Sequence, residues 1–212
     1  MTQAEAIQLL AKRYTAKGMV DFGTPEDTLI ATVLSARTRD EQVIKVYPGL
    51  RKAFPTLQEL AKAKPEAIQD RIRTVGFSYA KARYLKALAN QLITLHKGKV
   101  PNTMEELVGL SGVGRKTASC VLGYAFKLPA IAVDTHVYRI ARRLGWAKGK
   151  TPEVVEEELK AQIPKPLWRE VNRVLIPFGR DICKPGTPQC WRCPLASICA
   201  YRPKTPPPKV LS

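Results

Sequence analysis

The chain has 212 residues, enough for one large domain or two small ones, and at 45% hydrophobic content it can bury a sizeable core, which excludes wholesale disorder. Lys and Arg number 35 against 18 Asp and Glu, a net charge of +17. Such a charge repels itself in a compact state, so a polyanionic partner is expected: DNA, RNA or an anionic membrane surface. No apolar run approaches the roughly 18–20 residues of a membrane span. The start, MTQAEAIQLLAKRY, has no charged-then-apolar signal pattern and reads as an amphipathic helix. A cytoplasmic protein is expected, associated with the nucleoid if prokaryotic.

The pattern along the chain is helical almost throughout. Thr24-Pro25-Glu26-Asp27 is an N-cap, a proline at the first helical position and acidic first-turn residues. Leu29, Ile30, Val33 and Leu34 then repeat at helical spacing. Further helices are predicted over Asp40–Phe54, Leu57–Lys62, Pro65–Thr74, Ala80–His96, Met104–Val108 and Arg115–Phe126, then over Thr135–Leu144, Pro152–Gln162 and Leu167–Phe178. Pro48 and Pro177 fall inside two of these and are expected to kink or shorten them. No alternating run is long enough to suggest a sheet. The ending, PKTPPPKVLS, is proline-rich and basic, and reads as a mobile tail over residues 203–212.

Leu110-Ser111-Gly112-Val113-Gly114-Arg115-Lys116-Thr117 lies between two predicted helices. Gly112 and Gly114 allow a tight turn and a close backbone approach by a ligand. The free N–H groups of a helix starting near Arg115 would suit a phosphate, although a plain αα-hairpin fits the same residues. Lys116 stands in that first turn beside Arg115, where positive charge is disfavoured. With partial desolvation it is a candidate nucleophile; without it, a phosphate contact. Downstream, Asp134 in IAVDTHV reads as an ordinary N-cap or as a carboxylate near Lys116, and a capping aspartate can also be catalytic.

Cys183, Cys190, Cys193 and Cys199 fall within seventeen residues in the pattern C-x6-C-x2-C-x5-C. Four crowded thiolates repel each other unless something positive sits between them. Structural disulfides are rare in the expected compartment, which points to one four-thiolate metal site. Zinc would suit two short C-x2–4-C units across a longer gap better than this spacing. Of the remaining residues, Cys120 reads as a small buried apolar group and His136 as structural. Glu156, Glu157 and Glu158 read as a solvated helix face. Trp191 and Arg192 are placed to shield the metal site or to touch DNA.

LSGVGRKTASCVLGYAF, then IAVDTHV, then the cysteine pattern, resembles the endonuclease III family of DNA glycosylases over essentially the whole chain, including LSARTRD and TVGFSYAKA. The resemblance implies an all-α, two-domain helix-hairpin-helix glycosylase fold with a DNA-facing cleft. A six-helix barrel domain would cover 20–128, with the hairpin at about 104–126. Residues 1–19 and 129–202 would form a cluster domain holding a [4Fe-4S] cluster on the four cysteines. A monovalent cation at the hairpin carbonyls is implied in the same way. The implied activity is bifunctional: excision of oxidised pyrimidines such as thymine glycol from duplex DNA, followed by lyase cleavage at the abasic site. Lys116 would be the nucleophile and Asp134 the carboxylate that stabilises the developing sugar cation. Gly112, Gly114 and Arg115 would hold phosphate, and the protein would act as a monomer. The related adenine glycosylases lack this lysine and carry a catalytic glutamate near LSARTRD, where this chain has none. A monofunctional mismatch glycosylase and a non-catalytic iron–sulfur DNA-binding protein are the alternatives.

The chain departs from the family pattern at two positions. Arg37 stands where the family has a glutamine wedge in LSAQATD, and Phe77 where it has an aliphatic intercalating residue. Both are expected to bind DNA, unless Phe77 is a core residue, and to alter opposite-base preference or lesion range. Ser35 and Asp40, on the same segment as Arg37, are candidates for the base pocket.

Overall fold

The structure, a computed structural model, describes residues 1–14 and 22–208. Its described residues form eleven α-helices and two short 3-10 turns, with no strand. None of these helices is long and apolar enough to cross a membrane. The chain divides into two compact units: Met19–Leu128, and Met1–Gly18 together with Pro129–Ser212. The boundary expected near residue 20 and the last part of the expected tail, 209–212, lie outside the described residues.

The first unit contains α2 (Pro25–Ser35), α3 (Asp40–Ala53), α4 (Leu57–Lys62), α5 (Pro65–Arg71), α6 (Ser78–His96), α7 (Met104–Val108) and α8 (Arg115–Tyr124). Threonines start three of them. Thr24, Thr56 and Thr103 each accept a hydrogen bond from the backbone N–H three residues on, satisfying a free donor of the first turn. The long helix α6 carries α4 and α5 against it, while α2 packs on α3, α6 and α8. Leu29, Ile30, Leu34, Leu85, Leu88, Leu92 and Val121 are fully buried. Each such residue contributes about 1.5–3 kcal/mol of burial against the entropy of folding. Arg51 ties the start of α2 to α3, pairing with Glu26 at 2.9 Å and Asp27 at 3.0 Å. The Tyr47 hydroxyl donates to Asp27 at 2.6 Å. Burial and that carboxylate push the Tyr47 phenol well above its ordinary range.

The second unit contains α1 (Gln3–Ala11), α9 (Thr135–Leu144), α10 (Pro152–Gln162) and α11 (Trp168–Asp181), and α11 packs against α1 and α9. Ile7, Leu10, Ile140, Val171, Leu175 and Phe178 belong to one buried cluster. The prolines do not shorten their helices as expected. Pro48 lies inside α3 and Pro177 inside α11, and each helix continues beyond. A proline removes one backbone hydrogen bond, and Leu50 after Pro48 and Phe178 after Pro177 are buried, which holds the next turn in place. The expected solvated face of α10 also needs correction. Glu156 is only 3% exposed and pairs with Lys160 four residues on at 2.5 Å. Glu158 accepts from the backbone N–H groups of Lys148 and Gly149, both at 2.9 Å. Glu157 alone faces solvent in the expected way. The start of the expected mobile tail is tied down, since Lys204 donates to the Cys199 carbonyl at 2.7 Å.

Candidate active site and cysteine loop

In the first unit, α7 and α8 form the helix pair around the glycine turn, and they pack on each other. Gly112 has φ +76°, and a Cβ there would lie 2.9 Å from Cβ of Tyr84, so both backbone and space require glycine. Gly114 caps α8 with φ −92°, and a Cβ there would meet nothing within 4 Å. The structure therefore requires glycine at 112, whereas a side chain at 114 would meet open space. Gln91 of α6 clasps the turn: its Oε1 accepts from Ser111 N at 2.7 Å and its Nε2 donates to Gly109 O at 3.3 Å. Arg115 and Lys116 occupy the first two positions of α8, with no acidic residue in that turn. Lys116 is exposed, so the partial desolvation a nucleophile needs is not supplied by the protein alone.

The expected wedge and pocket residues lie in the same unit. Ser35 ends α2, half-buried, with its hydroxyl on Thr32 O at 3.0 Å, and Asp40 begins α3, also half-buried. Arg37 and Phe77 are both exposed and both in the left-handed region, at φ +54° and +59°. Phe77 is 63% exposed and is not a core residue. Lys81, by contrast, is 4% exposed. Its ammonium donates to Leu34 O (2.7 Å), Ala36 O (2.6 Å) and Thr38 Oγ1 (3.0 Å). Burial pushes its pKa down to about 8, while three acceptors favour the charged form, the only form with three N–H donors.

In the second unit, Asp134 is an N-cap. Its Oδ1 accepts from His136 N at 2.9 Å and Val137 N at 2.8 Å, fixing the carboxylate at the start of α9. Asn172 of α11 holds the segment leading to it, accepting from Ala132 N at 2.9 Å and donating to Ala132 O at 2.6 Å. One buried amide thus satisfies a backbone pair that has no helix or sheet partner. His136 packs where a Cβ on Gly179 would come within 2.8 Å of its Nδ1. Burial lowers its pKa, Arg139 and Arg180 act the same way, and Asp134 opposes them.

The four cysteines follow α11 in one loop. Arg143, in the last turn of α9, directs its guanidinium at Cys183 Sγ (3.5 Å), Lys184 O (2.6 Å) and Pro185 O (2.7 Å). Its carbonyl accepts from Cys199 Sγ at 3.2 Å and Tyr201 N at 2.8 Å. Arg139 donates to Cys183 O at 2.9 Å. Arg192 is bound to Asp181 and Gln189, and Trp191 is 41% exposed. Burial pushes the Cys193 thiol up to about 11; Cys199, Cys183 and Cys190 push the same way, against a backbone hydrogen bond from Leu195. The four sulfurs share one electrostatic neighbourhood. Among the described residues, no three His, Cys, Asp or Glu side chains form a group fit for a single metal ion. Cys120 is buried in α8, away from this loop in the chain and in the other unit.

Sequence reasoning missed Gln91, Lys81, Asn172, Arg139 and Arg143. The first three act on backbone groups far along the chain, which leaves no local trace. The arginines left one: Arg139, Arg142 and Arg143 form a basic stripe at helical spacing just before the cysteines.

Residues 30–165 match the HhH-GPD superfamily base excision DNA repair protein family. Endonuclease III of Thermotoga maritima is 49% identical over 177 residues, covering 84% of this chain and 83% of that protein. A trapped covalent intermediate of endonuclease III with DNA, in an estranged-adenine complex, superposes with a TM-score of 0.87 at 38% identity, covering 94% of this chain and 96% of that one. A thermostable thymine-DNA glycosylase superposes with a TM-score of 0.83 at 25% identity, covering 93% and 94%. The hairpin, the capping Asp134 and the cysteine loop thus sit in a chain that belongs to the HhH-GPD superfamily of base excision DNA repair proteins and, within it, to the endonuclease III family.

Proposed function

We propose that the protein is a bifunctional DNA glycosylase and abasic-site lyase that excises oxidised pyrimidines, thymine glycol among them, from duplex DNA. The observation that carries this reading is Lys116, an exposed amine in the first turn of α8, directly after the open Gly114 cap. A bound phosphate would take the free N–H groups of that turn, and closure of DNA over Lys116 would supply the missing desolvation. The damaged nucleotide leaves the stack to expose its sugar. The neutral amine of Lys116 forms a bond to C1′ as the C1′–N bond to the base breaks. The Asp134 carboxylate stabilises the positive charge that develops on the sugar. Opening of the C1′–O4′ bond gives a Schiff base, which acidifies the C2′ proton. Loss of that proton forms the C2′=C3′ double bond as the C3′–O bond breaks, and the 3′ phosphate departs on the downstream strand, which cuts the backbone by β-elimination. A duplex carrying thymine glycol tests this: the wild type should nick it without added alkali, and Lys116→Gln should not. Base release that needs alkali for strand cleavage would instead indicate a monofunctional glycosylase using water.

Cys183, Cys190, Cys193 and Cys199 are proposed to hold a [4Fe-4S] cluster. The chemistry of the donor set fits: four thiols lie in one loop, burial and the neighbouring sulfurs push the Cys193 thiol up so that a positive centre is what would hold it as a thiolate, and Arg143 already directs a donor at Cys183 Sγ. When bound, the cluster would cross-link the loop and so fix the surface it presents. A monovalent cation at the hairpin carbonyls belongs to the same proposal. DNA affinity in potassium against a bulky organic cation, at equal ionic strength, tests it. The protein is proposed to act as a monomer on damaged or abasic duplex DNA.

A further inference from the structure

Helix α6 holds the glycine turn at two points. Tyr84 and Gln91 lie seven residues apart, about two turns along one side of the helix. At Tyr84 the contact is steric. A Cβ on Gly112 would lie 2.9 Å from the tyrosine Cβ, 3.1 Å from its Cγ and 3.2 Å from its Cδ2, so the backbone of the turn rests directly on this side chain. At Gln91 the contact is polar. Its Oε1 accepts from Ser111 N at 2.7 Å, the tighter bond, and its Nε2 donates to Gly109 O at 3.3 Å. Only one orientation of the amide serves both, because the N–H needs an acceptor and the carbonyl a donor. Gly109 is the C-cap of α7, where backbone groups run out of helical partners.

The core does not need these two side chains. Leu85, Leu88 and Leu92 of α6 are fully buried, whereas Tyr84 is 45% exposed and Gln91 half-buried. What the clamp controls lies just downstream. Gly114 caps α8 and Lys116 is its second residue, ahead of the buried Ala118 and Val121 that anchor the helix. Lys116 is exposed on a flexible stem, so the protein places its amine through the backbone that carries it.

We propose that Tyr84 and Gln91 are positioning residues for the Lys116 amine. They hold residues 109–112 against α6 and so set where the first turn of α8 presents the nucleophile. The inference rests on the lyase reading above and deepens it. A loosened turn leaves Lys116 chemically unchanged but in the reactive geometry for less of the time. The loss therefore falls on the rate of reaction at saturation, not on the general attraction of a +17 protein to duplex DNA.

The test is single-turnover strand cleavage of a duplex carrying a preformed abasic site, with the intact protein saturating, any bound metal retained, and Lys116→Gln as the background. Affinity for an undamaged duplex and amide hydrogen exchange in the free protein are measured alongside. Gln91→Met keeps the length of the side chain and removes both hydrogen bonds. It should cleave about tenfold more slowly, short of the roughly hundredfold cost of a fixed 1 Å displacement. Tyr84→Ala should slow cleavage similarly, and Tyr84→Phe, which keeps the ring against Gly112, should restore the rate. Both slow variants should bind undamaged duplex like the wild type, with faster exchange confined to residues 109–116. Unchanged cleavage in Gln91→Met and Tyr84→Ala overturns the positioning role. So does weaker binding of undamaged duplex with an unchanged saturated rate, or faster exchange throughout the first unit, which would mark a general loosening of the fold. A wild type that cleaves no faster than Lys116→Gln overturns the lyase reading itself.

Discussion

Gly112 and Gly114 stand two residues apart, one required by turn geometry and the other proposed to leave room for a ligand. Gly112→Ala puts a Cβ at positive φ and against Tyr84, which should cost about 1–3 kcal/mol of stability. Gly114→Ala meets nothing within 4 Å and should change stability by less than about 1 kcal/mol, as a lost N-cap preference. Yet it should weaken binding to abasic-analogue DNA, because the methyl group occupies the approach. Thermal melts alongside binding isotherms check the pair, and a Gly114→Ala protein that binds DNA like the wild type would remove the approach argument. His136 offers a pH test. Its pKa is lowered in the folded state, so the unfolded chain takes up a proton first as pH falls. Its contribution to stability is complete above the ordinary imidazole value of about 6.5 and is lost as pH falls through the lower folded value. Melting between about pH 7.5 and pH 5 should therefore show a decline that His136→Gln flattens.

At the scale of elements, the caps and hydrophobic spacing made the helices legible, and the ends were less so. Thr24-Pro25 announced α2, and Asp134 announced α9. The start of α6 was expected at Ala80 and falls at Ser78, because its N-cap, Phe77, is a left-handed residue with no capping side chain. The Pro65 helix was expected to reach Thr74 and ends at Arg71, and α11 was expected to end at Phe178 and runs to Asp181. Lys116, Asp134 and the four cysteines could each be singled out because each belongs to a pattern that is local in sequence. Lys81, which holds residues 34–38, and Asn172, which holds Ala132 ahead of Asp134, left no such pattern: both resemble ordinary helix positions until the chain folds back on them. Asn172 should matter accordingly. Asn172→Leu leaves the Ala132 N–H and C=O buried without partners and should cost about 2–4 kcal/mol, read as a lower denaturant midpoint with an unchanged slope. A loss below about 0.5 kcal/mol would show that the segment before Asp134 is held by other means.

The whole molecule combines a +17 charge with a loop of four thiols, and each predicts a bulk property. Affinity for undamaged duplex should fall steeply with salt, as phosphate neutralisation releases counterions, with a logarithmic slope of about −0.9 per phosphate contacted. The purified protein should be brown, with about four iron and four sulfide per chain, and Cys193→Ser should lose that content. A colourless protein with one zinc per chain would replace the cluster with a different centre. The most direct test of the central claim is borohydride trapping on duplex DNA carrying thymine glycol, comparing the wild type with Lys116→Gln. A covalent protein–DNA adduct formed by the wild type alone would establish amine catalysis and assign the nucleophile. Base release by the wild type with no adduct would contradict the account and leave Lys116 as a phosphate contact.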